Sequence, residues 1–120
     1  MPRLIESPTA IRAAGNKSKV IEEFIGRVNP NTAALSVARM KSPDGWSEPA
    51  QTPEFDEYTL VLRGLLNVTT KSGTIGVGPG QAVIVQRGEC VQYSTPDPDG
   101  AEYIAVCIPA FSPDNVHRDT

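Results

Sequence analysis

The sequence predicts an all-β fold, a barrel or a sandwich, and three observations support this. Glycine and proline number 10 and 11 among the 120 residues, a heavy share for a helical chain. From Pro43 onward they interrupt the chain at short intervals, and the runs between them are rich in β-branched and apolar residues. No run sustains the 3.6-residue apolar period of a helix, and short strands between regularly spaced turn signals are typical of all-β folds.

The predicted strands can be placed in order along the chain. Residues 19–28 carry enough charge for a helix, but they lack its apolar period and are interpreted as the first strand. Residues 32–40 form the second. Six further strands are expected at residues 58–62, 65–70, 74–77, 81–85, 91–94 and 103–108. The turn at residues 78–80, Gly-Pro-Gly, contains two glycines that can adopt positive φ.

Length and charge limit the possible functions. A chain of 120 residues is expected to form one domain, with a barrel core at about 19–109, a tail at 110–120 and a short helical or irregular segment at the N-terminus. The 14 acidic residues outnumber the 11 basic ones, and the basic residues form no cluster. We therefore expect no nucleic-acid partner. No apolar run is long enough to span a membrane, and the N-terminus is too polar for a signal peptide, so we expect no membrane partner and a cytoplasmic location.

The two cysteines do not suggest a disulfide framework or a zinc site. Cys90 and Cys107 are too few and too far apart for either, and each lies in an apolar run. We expect buried free thiols. A nucleophilic thiol would need a base as partner, and the only histidine, His117, lies near the C-terminus.

Residues 45–64 resemble the first sequence motif of the cupins. Gly45 is followed by five residues and then by Gln51, which stands where that family has the first histidine of His-x-His. Pro53 replaces the second histidine. Glu57 falls on the glutamate of the motif, and six residues separate it from the closing Gly64. The spacing is thus kept, while two metal-binding histidines are missing.

Residues 80–95 resemble the second cupin motif in the same way. Gly80 and Gly88 match its two glycines, and Gln86 stands in place of its proline. Val91 occupies the position of the last metal-binding histidine, and Thr95 replaces the asparagine. Two separate motifs therefore keep their glycines and lose their histidines.

The resemblance implies an all-β cupin jelly-roll barrel, the double-stranded β-helix, with ligands on inward-facing strand positions. The sequence of residues 55–64 and 76–85 is also similar to that of the cupins associated with ethanolamine utilisation. A family site would hold a divalent metal ion. Here the candidate metal ligands are Glu57, Gln51 and Glu48, oxygen donors that suit a hard cation better than zinc. Whether any divalent metal ion is bound stays open, as the alternative is a barrel without a cofactor.

Glu57 and Tyr93 are the candidate catalytic residues. The cupin motif places Glu57 inside the barrel, where burial raises the pKa of a carboxyl and suits it to acid/base chemistry. The alternative is a solvated acidic loop. Tyr93 lies two residues after Val91, so both side chains point to the same face of one strand. Its hydroxyl either replaces a lost histidine as a proton donor or belongs to an ordinary core tyrosine.

Four further residues are ligand-binding candidates. Gln51 and Glu48 lie at the predicted mouth of the barrel. Trp46 lies beside this mouth, where its ring either forms an apolar wall for a ligand or only holds the loop in place. Arg39 reaches a ligand carboxylate if its strand turns that side chain inward, and is otherwise solvated. His117 contributes only if the tail folds over a barrel mouth.

Two functions compete on this evidence. The first is an enzyme that binds a small polar metabolite in the barrel and uses carboxylate acid/base chemistry of the isomerase or lyase type, with or without a divalent metal. The second is a non-catalytic ligand-binding or sensing cupin that has lost its metal site, which the apolar Pro53 and Val91 favour. Small cupins commonly pair through their strands, so a homodimer is expected, and the apolar residues 60–62 would fit such a contact.

Overall fold

A computed structural model of the protein describes residues 1–119. Its regular structure consists of ten strands: β1 (Thr9–Ile11), β2 (Val20–Ile25), β3 (Ser36–Ser42), β4 (Trp46–Ser47), β5 (Asp56–Gly64), β6 (Leu66–Thr70), β7 (Gly73–Val77), β8 (Ala82–Val85), β9 (Gln92–Thr95) and β10 (Ala101–Ile108). None of the described residues forms a helix of the length and apolarity needed to cross a membrane.

The strands form two antiparallel sheets that face each other. The larger sheet has the order β1-β2-β3-β10-β5-β8, and the smaller has the order β4-β9-β6-β7. The neighbouring strands β3, β10 and β5 are not consecutive in the sequence, so the connections between them cross over, as in a jelly roll. Both sheets contribute to one buried apolar cluster: Trp46, Val61, Leu66, Val68, Val77, Val85, Val91, Tyr93, Ala101 and Tyr103. The all-β jelly-roll prediction is confirmed.

β5 alternates between the inside and the outside of the barrel, as a strand with one buried face must. The buried side chains are those of Glu57, Thr59 and Val61. The exposed side chains are those of Tyr58, Leu60 and Leu62. β10 pairs with β5 along its length and has the same alternation, so two adjacent central strands present their side chains to one interior.

Two glycines allow the end of β5 to lie beside the start of β10. Gly64 ends β5 with a φ of 80°, and a Cβ built on it would lie 2.0 Å from the carbonyl oxygen of Gly100. Gly100 itself has a φ of 65°, and a Cβ there would lie 2.1 Å from the carbonyl oxygen of Ser42. These contacts are with backbone, which cannot turn away as a flexible side chain can. Only glycine fits at either position.

The C-terminal tail packs against the side of the barrel. It runs beside residues 50–54, where backbone amides of Thr52 and Glu54 donate to carbonyls of the tail and the amide of Asp119 donates to Ala50. Val116 of the tail packs in a second apolar cluster with Phe55, Cys107 and Phe111. The tail is therefore part of the barrel wall.

All eight predicted strands exist, with shifted ends. The run predicted at residues 32–40 begins only at Ser36, and two short strands, β1 and β4, were not predicted. Residues 1–8 are irregular. Cys107 is a buried free thiol as expected, whereas Cys90 is free but only half-buried.

Candidate functional site

The barrel interior contains a cavity with a volume of about 60 Å³. That is several times the roughly 10–15 Å³ required by one water molecule. Its polar lining comprises Lys19, Glu23, Ser36, Glu48, Gln51, Glu57, Thr59, Tyr93, Tyr103 and Arg118. Most of the remaining lining is apolar. Ionisable groups of both signs therefore meet in a small space that is largely shielded from water.

Glu57 lies at the centre of this set. β5 points its side chain inward, and the Tyr93 hydroxyl on β9 donates a hydrogen bond of 3.1 Å to Glu57 Oε1. Burial raises the pKa of Glu57 to about 7, and the neighbouring carboxylate of Glu48 adds to the rise, while the bond from Tyr93 opposes it. Burial also raises the pKa of Tyr93, so its hydroxyl stays protonated as the donor. Near neutral pH, Glu57 exists in both forms and can give or take a proton.

Glu48 forms the second carboxylate of the site. It is buried in the loop after β4, where its backbone amide donates to the Tyr93 carbonyl at 3.3 Å. Its Oε2 lies 3.7 Å from Arg118 Nε, which is an ion pair but too long for a hydrogen bond. Burial raises the pKa of Glu48, although Lys19 and Arg118 act in the opposite direction. The cost of burial outweighs the attraction of the two cations.

Lys19 projects into the cavity from the segment before β2. Its Nζ lies 3.9 Å from the centre of the Trp46 ring and 5.2 Å from that of Tyr103. Loss of water around it lowers the pKa of the ammonium to about 8, and the carboxylates of Glu48 and Glu57 only partly offset this. Two aromatic faces thus hold a cation that titrates far closer to neutrality than an ordinary lysine.

Two buried polar atoms at the cavity have no hydrogen-bond partner among the described residues. They are Gln51 Oε1, an acceptor, and Arg118 Nε, a donor. The backbones of Gln51 and Arg118 pair with each other, so the two atoms belong to adjacent segments of the wall. Leaving such atoms unpaired costs about 1–3 kcal/mol each. Water or a ligand that offers both a donor and an acceptor would satisfy them.

Other polar groups of the lining have structural roles. Glu23 Oε2 accepts hydrogen bonds from the backbone amides of Val28 and Asn29, which fixes the turn after β2. The Tyr103 hydroxyl bonds to Ser42 Oγ at 2.9 Å. Burial raises the pKa of the Cys107 thiol, which makes this thiol a poor nucleophile.

An outer cleft of about 420 Å³ adjoins the cavity. The two spaces share Ile11, Ala14, Glu23, Phe111 and Arg118. The cleft adds two more arginines, Arg12 and Arg27, to its rim. This cleft lies between the N-terminal segment and the tail, and it marks the mouth through which a ligand would approach.

The residues present do not fit a divalent metal ion. Within residues 1–119, no group of three or more His, Cys, Asp or Glu side chains is arranged to hold one. Glu57 is engaged by the Tyr93 hydroxyl, and Glu48 faces Arg118. The ammonium of Lys19 lines the same cavity and would repel a second cation. The structure thus brings together the suggested metal ligands, Glu57, Gln51 and Glu48. The positively charged side chains of Lys19 and Arg118 line the same cavity.

Arg39, Trp46 and His117 take the alternative in which the side chain stays outside the cavity lining. Arg39 does not point inward: its guanidinium pairs with Glu22 at 2.8 Å, because the alternation of β3 turns it away from the cavity. Trp46 does not wall the cavity, since it lies in the core behind Lys19 and donates to the Ala14 carbonyl. His117 pairs with Glu54 on the surface, outside the cavity lining.

Among the lining residues that sequence reasoning did not propose are Lys19, Tyr103 and Arg118. A signal for Tyr103 existed, because it lies four residues before Cys107 on one strand and so shares its face. Arg118 lies next to His117, but the tail is not extended there, since His117 has a φ of 50°, so strand alternation gave no signal for it. For Lys19 there was none, because the segment before β2 is irregular.

Solved structures with the same fold include three informative examples. A polyketide cyclase, RemF, from Streptomyces resistomycificus matches with a TM-score of 0.77 at 21% identity, over 100% of this chain and 86% of its own. A predicted oxalate decarboxylase from Thermotoga maritima gives 0.73 at 19%, over 91% and 99%. A putative ethanolamine utilization protein Q from Salmonella typhimurium gives 0.67 at 18%, over 79% and 72%. The chain is a cupin-fold protein, as its two motifs predicted.

One curated protein is similar in sequence. It is described as endoribonuclease YbeY from Myxococcus xanthus, and it is 43% identical over 102 residues. The match covers 85% of this chain but only 35% of that protein. The chain thus spans about a third of the length of that relative. No family model matches the chain.

Proposed function

We propose that this protein binds a small polar metabolite in the interior cavity and moves a proton on it by carboxylate acid/base chemistry, in a reaction of the isomerase or lyase type. The observation that carries the proposal is the buried pair of Glu57 and Tyr93 at the cavity, with the pKa of Glu57 raised to about 7 by burial. A base of that pKa is matched to work near neutral pH.

We infer the chemical class of the ligand from two buried polar atoms that have no hydrogen-bond partner among the described residues. Gln51 Oε1 needs a donor and Arg118 Nε needs an acceptor. A hydroxy-carbonyl compound offers both, and its carbonyl oxygen would meet the positive charge of Lys19 or Arg118. These cations would stabilise the negative charge that develops on that oxygen when Glu57 removes a proton from the adjacent carbon. The apolar lining would limit competition from water.

The test is solvent exchange on a panel of small hydroxy-carbonyl compounds, including glycolaldehyde, glyceraldehyde and dihydroxyacetone. The protein is incubated with each compound in deuterated buffer, and loss of the C–H signal is followed by NMR. We expect protein-dependent exchange that rises with pH through about 7, the pKa of Glu57. The Glu57→Gln variant should lose about 10²–10⁴ in rate, the usual share of a general base.

His117→Gln is the matched control, because His117 pairs with Glu54 on the surface and does not line the cavity. It should exchange at the wild-type rate. Exchange that survives in the Glu57→Gln variant would contradict the proposed role of Glu57.

A second candidate is ligand binding without turnover. It is favoured by Pro53 and Val91, which are buried and offer no side-chain ligand where cupins carry histidines. Titration calorimetry on the same panel separates the two candidates. Binding without exchange for any compound would support a sensing role.

We further propose that the protein forms a homodimer through the outer face of β5 and β8. Leu60, Leu62 and Ile84 are exposed there by 44%, 47% and 64%, and Tyr58 lies opposite Ile84. Clustered apolar side chains on a sheet surface are typical of an interface. Sedimentation velocity should show a dimer for the wild type and a monomer for Leu60→Lys/Ile84→Lys. Ile75 is 57% exposed on β7 of the other sheet, and the Ile75→Lys variant should remain dimeric. A monomeric wild type would refute this assembly.

A further inference from the structure

Lys19 brings a nucleophilic amine into the cavity, and proton transfer by Glu57 uses at most its positive charge. Among the described residues its Nζ makes no hydrogen bond, and it has no carboxylate within ion-pair distance, although Glu48 and Glu57 line the same cavity. Its other contacts are the faces of Trp46 and Tyr103. An amine held this way has its nitrogen free to meet a bound molecule.

We propose that Lys19 acts as a covalent catalytic residue, whose Nζ forms an imine with the carbonyl carbon of a small aldehyde or ketone bound in the cavity. This rests on the proposed function for the place where the ligand binds, but not on proton transfer by Glu57.

The bonds balance with the groups at hand. The neutral amine of Lys19 attacks the carbonyl carbon, a C–N bond forms, and the oxygen takes a proton to give a carbinolamine. Loss of a proton from nitrogen and protonation of the hydroxyl then release one water and leave the C=N bond. Glu57 in its protonated form can supply a proton to the departing hydroxyl, with Tyr93 as its hydrogen-bonded neighbour. No oxidant, reductant or cofactor enters the step.

The electrostatics of the cavity favour this reaction. With a pKa of about 8, Lys19 contains on the order of a hundredfold more free amine at pH 7 than an ordinary lysine. Desolvated lysines of this kind are suited to Schiff-base chemistry. The apolar wall also holds back the water that would hydrolyse the imine.

The test is reductive trapping of the full chain with glycolaldehyde or pyruvate at pH 7. Sodium cyanoborohydride reduces any imine to a stable secondary amine, and intact mass spectrometry counts the adducts before peptide mapping locates them. We expect one adduct per chain at limiting probe, placed on Lys19. Lys17 is the internal control, since it is exposed, two residues away, and donates to the Asp44 carbonyl. Labelling of Lys19 should exceed that of Lys17 by at least about tenfold, because burial lowers the pKa of the Lys19 ammonium.

Two variants complete the test. Lys19→Arg keeps the charge and should lose the adduct, whereas Glu57→Gln should still label at Lys19, more slowly. Labelling confined to Lys17 and other surface amines would overturn the proposal, and so would equal labelling of Lys17 and Lys19. The wild-type map decides the question even if a variant fails to fold. Trapping at Lys19 without deuterium exchange would leave this inference standing while the acid/base proposal fails.

Discussion

Replacing Glu57 by glutamine is expected to raise the free energy of unfolding by about 3 kcal/mol at pH 8. Burial raises the pKa of this carboxyl from 4.5 to about 7 in the folded state, so the folded protein holds its proton more tightly than the unfolded chain. Its contribution to stability is fully present below pH 4.5 and is lost as the pH rises through about 7. Glutamine has no charge to bury and escapes this loss.

The difference between Glu57→Gln and the wild type should therefore grow between pH 4.5 and pH 7 and stay constant above it. Urea unfolding at a series of pH values measures it. Glu89→Gln, on the exposed surface, is the control for removing a carboxylate without removing a buried one. A difference that does not change with pH would mean that Glu57 is not held protonated by the fold. A gain in stability on removing a proposed catalytic residue would mark it as retained for function.

Replacing Gly64 by alanine is expected to cost at least about 3 kcal/mol of stability. The residue has a φ of 80°, and the new Cβ would lie 2.0 Å from the Gly100 carbonyl oxygen and 2.8 Å from Ala101 Cα. Because both neighbours are backbone atoms of the adjacent strand, β5 and β10 must move apart. The loss should appear as a lower urea midpoint in circular dichroism.

Gly80→Ala is the matched control. Gly80 has nearly the same backbone conformation, with a φ of 78°, but a Cβ there would meet nothing within 4 Å. It should show only the cost of a left-handed alanine, roughly 1–2 kcal/mol. If both variants lost the same stability, the close contact at Gly64 would carry no energetic weight.

The glycines explain why the fold could be read from the sequence. Gly64 and Gly80 keep the motif spacing because they meet backbone constraints, a close strand contact at the first and a positive-φ turn at the second. These constraints do not depend on which side chains fill the barrel. The spacing of the first motif likewise placed Glu57 inside before its partners were known, and the burial pattern of β5 agrees with it.

The site was harder to predict because its members depend on packing between distant segments. Lys19 points inward because the ring of Trp46 lies beneath it, a contact between an irregular segment and a two-residue strand. Arg118 enters the cavity only because the tail pairs with Gln51. The direction of Arg39 stayed open in the sequence because strand parity in β3 is set by its register with β10, where Arg39 lies opposite Ile104. None of these relations leaves a pattern in the local sequence.

The cluster of Lys19, Glu48 and Glu57 also has a thermodynamic consequence. With pKa values of about 8 for Lys19 and about 7 for Glu57, both groups change charge close to neutrality. An anionic ligand would raise the pKa of both and so take up protons from the buffer, and its apparent affinity would fall as the pH rises. The measured heat of binding would then vary with the ionisation enthalpy of the buffer, even for a ligand that is never turned over.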